Sequence, residues 1–187
     1  TAYEIPKRDW SSDVCSSDLS NSTRAVYAGG YQYPSGVVIN NIQYVTIAST
    51  GNAATFGQLT LSRSNPGTVS SPTRGIWAGG YTGSPLYTRQ NTIDFITIST
   101  LGNAFTFGNL SYVGYSQGSC SNPIRGLFAG YQGTAPVNTS NTIDYITIAS
   151  TGNSVNFGNL TRSNCRITAA NSPTRGVFAG GYTPATT

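Results

Sequence analysis

The chain has 187 residues, of which 37% are hydrophobic and only 9% charged, with a formal net charge of +4. It contains no His, so the commonest general base and the commonest metal ligand are both missing, and no stretch approaches the run of about 20 apolar residues that a membrane-spanning helix needs. Gly (22) and Tyr (12) stand among many Ser, Thr and Asn, which favours short strands and tight turns over long helices.

The first segment differs from the rest. Lys7, Arg8, Glu4, Asp9, Asp13 and Asp18 concentrate charge in residues 1–19. The run Asp13-Val14-Cys15-Ser16-Ser17-Asp18-Leu19 resembles the translation of a sequencing-library adapter, so residues 1–19 are expected to be an artefactual or disordered segment outside the fold. What remains carries arginines 24, 63, 74, 89, 125, 162, 166 and 175 against Asp94 and Asp144, with no Lys or Glu. Arg spread at a regular period, without a Lys cluster or basic helix, argues against a nucleic-acid partner. Cys120 and Cys165 have no CxxC spacing and give no metal signature; two free, buried thiols are favoured over a disulfide.

From residue 20 the chain repeats. Thr23-Arg24-Ala25-Val26-Tyr27-Ala28-Gly29-Gly30-Tyr31 recurs as Thr73–Tyr81, Ile124–Tyr131 and Thr174–Tyr182, the Arg stepping by 50, 51 and 50. The third copy reads as having lost one Gly. Each of the first three is followed by an Asn-x-Ile-x-aromatic-x-Thr-Ile block: Asn40–Ile47, Asn91–Ile98 and Asn141–Ile148. Then come a Gly-Asn pair (Gly51-Asn52, Gly102-Asn103, Gly152-Asn153) and a Phe-Gly-x-Leu block (Phe56–Leu59, Phe107–Leu110, Phe157–Leu160).

Each block reads as a strand. β-branched and aromatic residues dominate the Asn-to-Ile block. The Gly-Asn pair suits the positive φ of a tight hairpin turn. The Arg-to-Gly-Gly block is a short apolar run stopped by glycines. A small-residue strand precedes it near 64–70, 116–121 and 164–170. The order per repeat is therefore a (small residues), b (Arg to Gly-Gly), c (Asn to Ile) and d (Phe-Gly-x-Leu). A four-stranded unit of about 50 residues points to a β-propeller blade, which buries its two faces by stacking on neighbours.

The apolar strand ending in Gly-Gly (Phe178–Gly181), Asp144-Tyr145, Phe157-Gly158-Asn159-Leu160 and Arg162 together resemble the kelch pattern, with Phe in place of the usual Trp. The resemblance implies an all-β, kelch-like propeller forming a partial ring of three to four blades. Blade I would supply strands b–d (20–61), blade II residues 62–111, blade III residues 112–161 and blade IV strands a–b (162–187). More narrowly, residues 141–153 resemble a repeat of bacteriophage structural and fibre-like proteins from aquatic metagenomes. That implies a virion or extracellular setting.

Candidate sites divide by periodicity. Arg24, Arg74, Arg125 and Arg175 recur in every repeat and are expected to be structural, bonding backbone carbonyls or Asp94 and Asp144. Those two acids share one repeat position with the uncharged Gln43 and are also expected to be structural. The b–c loops vary most. Tyr31, Tyr33, Tyr81, Tyr87, Arg89 and Tyr131 there offer aromatic faces among amides and hydroxyls, the chemistry of sugar recognition. No catalytic set, metal site or cofactor is expected. The reading is a non-enzymatic structural or binding module whose partners are a cell-surface glycan or receptor, other virion proteins, or itself. Two alternatives remain: part of a secreted galactose-oxidase-like carbohydrate oxidase, whose copper site would need His, and an intracellular kelch adaptor.

Overall fold

The structure is a computed structural model that describes residues 17–83, 87–133 and 139–183. All regular structure among them is β, and it falls into antiparallel sheets. Sheet I contains β1 (Ser17–Ser20) and β2 (Arg24–Ala28), followed by β5 (Asn41–Thr46) and β6 (Ala54–Gln58). Between β2 and β5 lies a small hairpin of β3 (Tyr31–Gln32) and β4 (Val37–Val38). Sheet II contains β7 (Gly67–Ser70), β8 (Arg74–Ala78), β9 (Thr92–Thr97) and β10 (Phe105–Asn109). Sheet III contains β11 (Gly118–Ser121), β12 (Arg125–Ala129), β13 (Ser140–Thr147) and β14 (Val155–Asn164). A final pair, β15 (Thr168–Asn171) and β16 (Gly176–Ala179), follows. Each four-stranded sheet is a meander in chain order, matching the a–d order read from the repeat.

The boundary expected between residues 19 and 20 falls inside β1. Ser17–Ser20 pairs with Ala25–Ala28, and Leu19 is buried beside Val26 and Trp77. Leu19 holds the repeat position of Val69 and Cys120. Residues 1–16 lie outside the described residues.

The a–b turns explain a constant piece of sequence. Asn21, Ser71, Asn122 and Ser172 each accept from the backbone N–H groups two and three residues on, through a side-chain oxygen. These Asx- and Ser-turns fix the chain just before the repeated Arg.

Sheets stack through three joints. Along the small-residue strands, the Ser119 hydroxyl accepts from Thr68 N–H (2.9 Å) and donates to Thr68 C=O (2.8 Å), and Ser121 does the same to Ser70. Small side chains permit this approach. The second residue of strand b completes it: a Cβ on Gly75, Gly126 or Gly176 would stand 2.5–2.7 Å from Leu19, Val69 or Cys120 of the preceding sheet. Ala25 holds that position in sheet I.

The third joint corrects the hairpin expectation. The Gly-Asn pair does not close a two-residue turn; strands c and d are joined by seven residues, 98–104 in sheet II. The pair docks outward instead. Gly102 N–H donates to Phe56 C=O (2.9 Å), Ala104 N–H to Gln58 C=O (2.8 Å), and Asn103 Oδ1 accepts from Gln58 N–H (3.1 Å). Gly152, Ser154 and Asn153 repeat this on Phe107 and Asn109. The Gly of Phe-Gly-x-Leu makes room: a Cβ on Gly57 or Gly108 would lie 2.0 or 2.1 Å from the docked carbonyl oxygen. Core clusters sit in the two spaces so formed, one around Val26, Phe56 and Trp77 and one around Ile76, Phe107 and Phe128.

Candidate functional site

Two members of the arginine ladder, Arg24 and Arg74, lie within these joints. Arg24, Arg74 and Arg125 stack over the strand-c aromatics Tyr44, Phe95 and Tyr145 at 4.7–4.9 Å, and each of those rings meets a strand-d Phe edge-on. Arg24 Nη1 also donates to Ile98 C=O (2.7 Å) and Arg74 Nη1 to Ile148 C=O (2.9 Å), both in the next sheet. Arg175 stands in an exposed position before β16.

Asp94 and Asp144 are wholly buried but contact none of these arginines. Asp94 accepts from Thr60 N–H and Oγ1 and from Arg63 Nη2 (2.9 Å). Arg63 is itself buried, and its Nη1 donates to Gly79 and Thr92 carbonyls. Burial pulls the guanidinium below its ordinary value, with Asp94 opposing. The acid thus ties strand c to the d–a connection of the preceding sheet. Asp144 binds Ser111 N–H and Oγ in the same way, but the repeat position of Arg63 is Gly114. The Ser154 hydroxyl donates to Asp144 where Ala104 stands in sheet II.

A ring fills the remaining space. A Cβ on Gly114 would lie 2.6 Å from the Tyr131 ring, while Tyr131 holds the position of Gly80, whose own Cβ would meet Arg63 Cβ and Ser64 C=O. Arg63 with Gly80 is exchanged for Gly114 with Tyr131. Tyr131 stacks on Tyr112 at 3.8 Å and 9°. Tyr112 is buried, its hydroxyl has no hydrogen-bond partner, and burial, then Asp144, then Tyr131 push its titration well above the ordinary range.

The same register corrects the third repeat. Ser64 bridges Tyr81 and Cys165 bridges Tyr182, but Tyr115 bridges Gln132, not Tyr131. No Gly is lost after Gly130; Tyr131 replaces one. The shortening falls between the bridged residues Gln132 and Thr139.

The loop candidates therefore separate. Tyr131 packs inward. Tyr81 and Arg89 face each other across a bridge, and both meet Tyr115, a residue the repeat pattern did not single out: Tyr81 edge-on at 5.0 Å, Arg89 over its ring at 5.5 Å. Arg89 Nε and Gln132 Oε1 are buried without hydrogen-bond partners. Tyr33 and Tyr87 are 76% and 52% exposed, and Tyr31 is half-buried on β3 beside Gly36. Residue 83 reaches the β3–β4 hairpin, where a Cβ on Gly83 would meet Val38 and Gly36 C=O. The loops at 84–86 and 134–138 lie outside the described residues.

Among the described residues no three of His, Cys, Asp and Glu cluster as a metal site, and no helix is long and apolar enough to cross a membrane. Cys120 and Cys165 are free and buried, and burial raises both thiols. A cavity of about 140 Å³ lies between Phe107 and the β13–β14 connection, lined by Tyr145, Thr147, Asn153 and Val155 among others. No protein-family model matches the chain, and the search of curated proteins returned no match.

Proposed function

We propose that the chain is a non-enzymatic binding module: a kelch-like propeller fragment whose stacked sheets carry the b–c loops on one rim, with a glycan or glycosylated receptor as partner. The observation that carries this reading is the division of labour among side chains. Residues at repeated positions (Arg24 and Arg74 of the ladder, Ser119 and Ser121 of strand a, Gly57 and Gly108 of the Phe-Gly pairs) are engaged between sheets. At the rim the repeated Tyr81 meets Arg89 and Tyr115, which vary from unit to unit, and Tyr33 and Tyr87 stand exposed in their own loops. Aromatic faces stack on sugar rings, and an Arg set among them suits an acidic sugar. A virion or extracellular setting, with contact to other virion proteins, extends this proposal through the phage-repeat resemblance. The oxidase alternative needs His for its copper site, and the chain has none.

Binding of the full chain to an array of neutral and acidic glycans tests the reading. The expected result is a ligand whose affinity falls about tenfold in Tyr81→Ala or Arg89→Ala, as loss of one stacking or charge-assisted contact implies. Binding that survives both substitutions unchanged, or none across the array, overturns it.

A further inference from the structure

The trailing face of sheet III carries every element of the sheet-to-sheet joint except its occupant. Phe56 and Phe107 are each 4% exposed beneath the next sheet, whereas Phe157, at the same repeat position, is 54% exposed. Val26 and Ile76 are wholly buried, whereas Val177 is 59% exposed. Gly57 and Gly108 each have a docked carbonyl against them, but nothing lies within 4 Å of the Cβ position of Gly158. Phe157 C=O and the backbone of Asn159 have no partner outside sheet III among the described residues, although their counterparts all bind a Gly-Asn loop. Arg125 is stacked on Tyr145 but lacks the next-sheet carbonyl that Arg24 and Arg74 reach.

We propose that the β16 edge and the outer half of sheet III form a docking site for one β-hairpin of the c–d type, an Asn-x-Ile-x-aromatic-Ile-Thr-Ile strand joined through Gly-Asn to a Phe-Gly-x-Leu strand. Continuity with the two joints already built identifies the occupant. Its first strand adds to β16 as β5, β9 and β13 add to β2, β8 and β12. Its loop places Gly N–H on Phe157 C=O and the Asn side chain on Asn159 N–H. Its Ile carbonyl receives Arg125. A whole second copy does not fit, because β15 and β16 already cover the inner half: Cys120 lies against Gly176, and Ile167 against Gly118. This site is separate from the loop rim, so either proposal can fail alone.

The test uses the full chain carrying Phe157→Trp and a synthetic peptide of residues 141–160 as the probe. The expected result is a saturable blue shift in emission from the introduced indole, with new amide-exchange protection at Asn159 and across Gly176–Ala179. Gly158→Val, which sets a branched side chain where the docked loop must lie, should weaken peptide binding at least tenfold while leaving sheets I and II protected. No saturable change, or equal binding by the Gly158→Val chain, overturns the proposal. So does concentration-dependent self-association without peptide that gives the same indole shift, since it makes a second copy the occupant.

Discussion

Arg63 shows how one buried charge can be replaced by a different set of atoms. In sheet II its guanidinium satisfies Asp94 and two backbone carbonyls; in sheet III Gly114, Tyr131 and Ser154 divide that work between a ring and a hydroxyl. Removing one member of a buried ion pair leaves an uncompensated charge, so Arg63→Gly should cost about 3–5 kcal/mol in a urea titration. Adding Gly80→Tyr and Ala104→Ser should restore only part of that loss, because the three positions share one space but a Tyr at 80 must bear a φ of 98° and a close Ser64 C=O that Tyr131 avoids. Simple additivity of the three would refute the exchange. Tyr112 gives the pH counterpart. Its folded titration lies above the ordinary 10.0, so the folded state holds the proton longer than the unfolded one. The stability this contributes is complete below about pH 10 and is lost as pH rises from there through the folded value. Tyr112→Phe should flatten that alkaline decline. Near neutrality it should change stability by no more than about 1 kcal/mol, because the hydroxyl it removes is unpartnered. An undiminished alkaline decline would place its cause elsewhere.

At the scale of strands and turns, the Phe-Gly-x-Leu block tests the outer joint. Gly57 and Gly108 are small because the next c–d connection lies on them, not because strand d turns there. Gly108→Ala drives a methyl onto Gly152 C=O and should cost about 3 kcal/mol, the upper end of ordinary overpacking. Gly158→Ala meets no atom and bears only the strain of its φ of 152°, about 1 kcal/mol. Thermal midpoints of the two variants compare them directly; equal losses would mean that the docked loop is not what requires the glycine. Gly-Asn was legible as a turn signal, and the residues do lie in the c–d connection. Their docking role was not legible, because local turn chemistry describes a residue's own backbone, whereas these bond to a strand about 45 residues earlier.

For the molecule as a whole, periodicity made the strands legible: four kinds of block at a step of 50–51 residues became four strands per sheet. A period shows that a position must be kept, but not what it touches. The Arg ladder could be placed, whereas its acceptors, Ile98 and Ile148, could not. Arg63 stands off the ladder, so the period does not single it out, and the Gly-Tyr order of the other copies draws Tyr131 one residue out of its structural register. Composition set residues 1–19 apart, yet Leu19 packs against Gly75 as Val69 packs against Gly126. Among the rim residues, Tyr81 and Arg89 were legible as loop aromatics and charge; Tyr115 was not, since it comes from a different connection. In this arrangement each sheet is held chiefly by its neighbours on either face, as stacked repeats generally are. Native-state hydrogen exchange, resolved strand by strand, is the decisive measurement. Amides of β8 and β9, covered on both faces, should open only with the largest free energy, and those of β15 and β16 should exchange first. Protection of β15 and β16 equal to that of β8 and β9 would refute the dependence of each sheet on its neighbours.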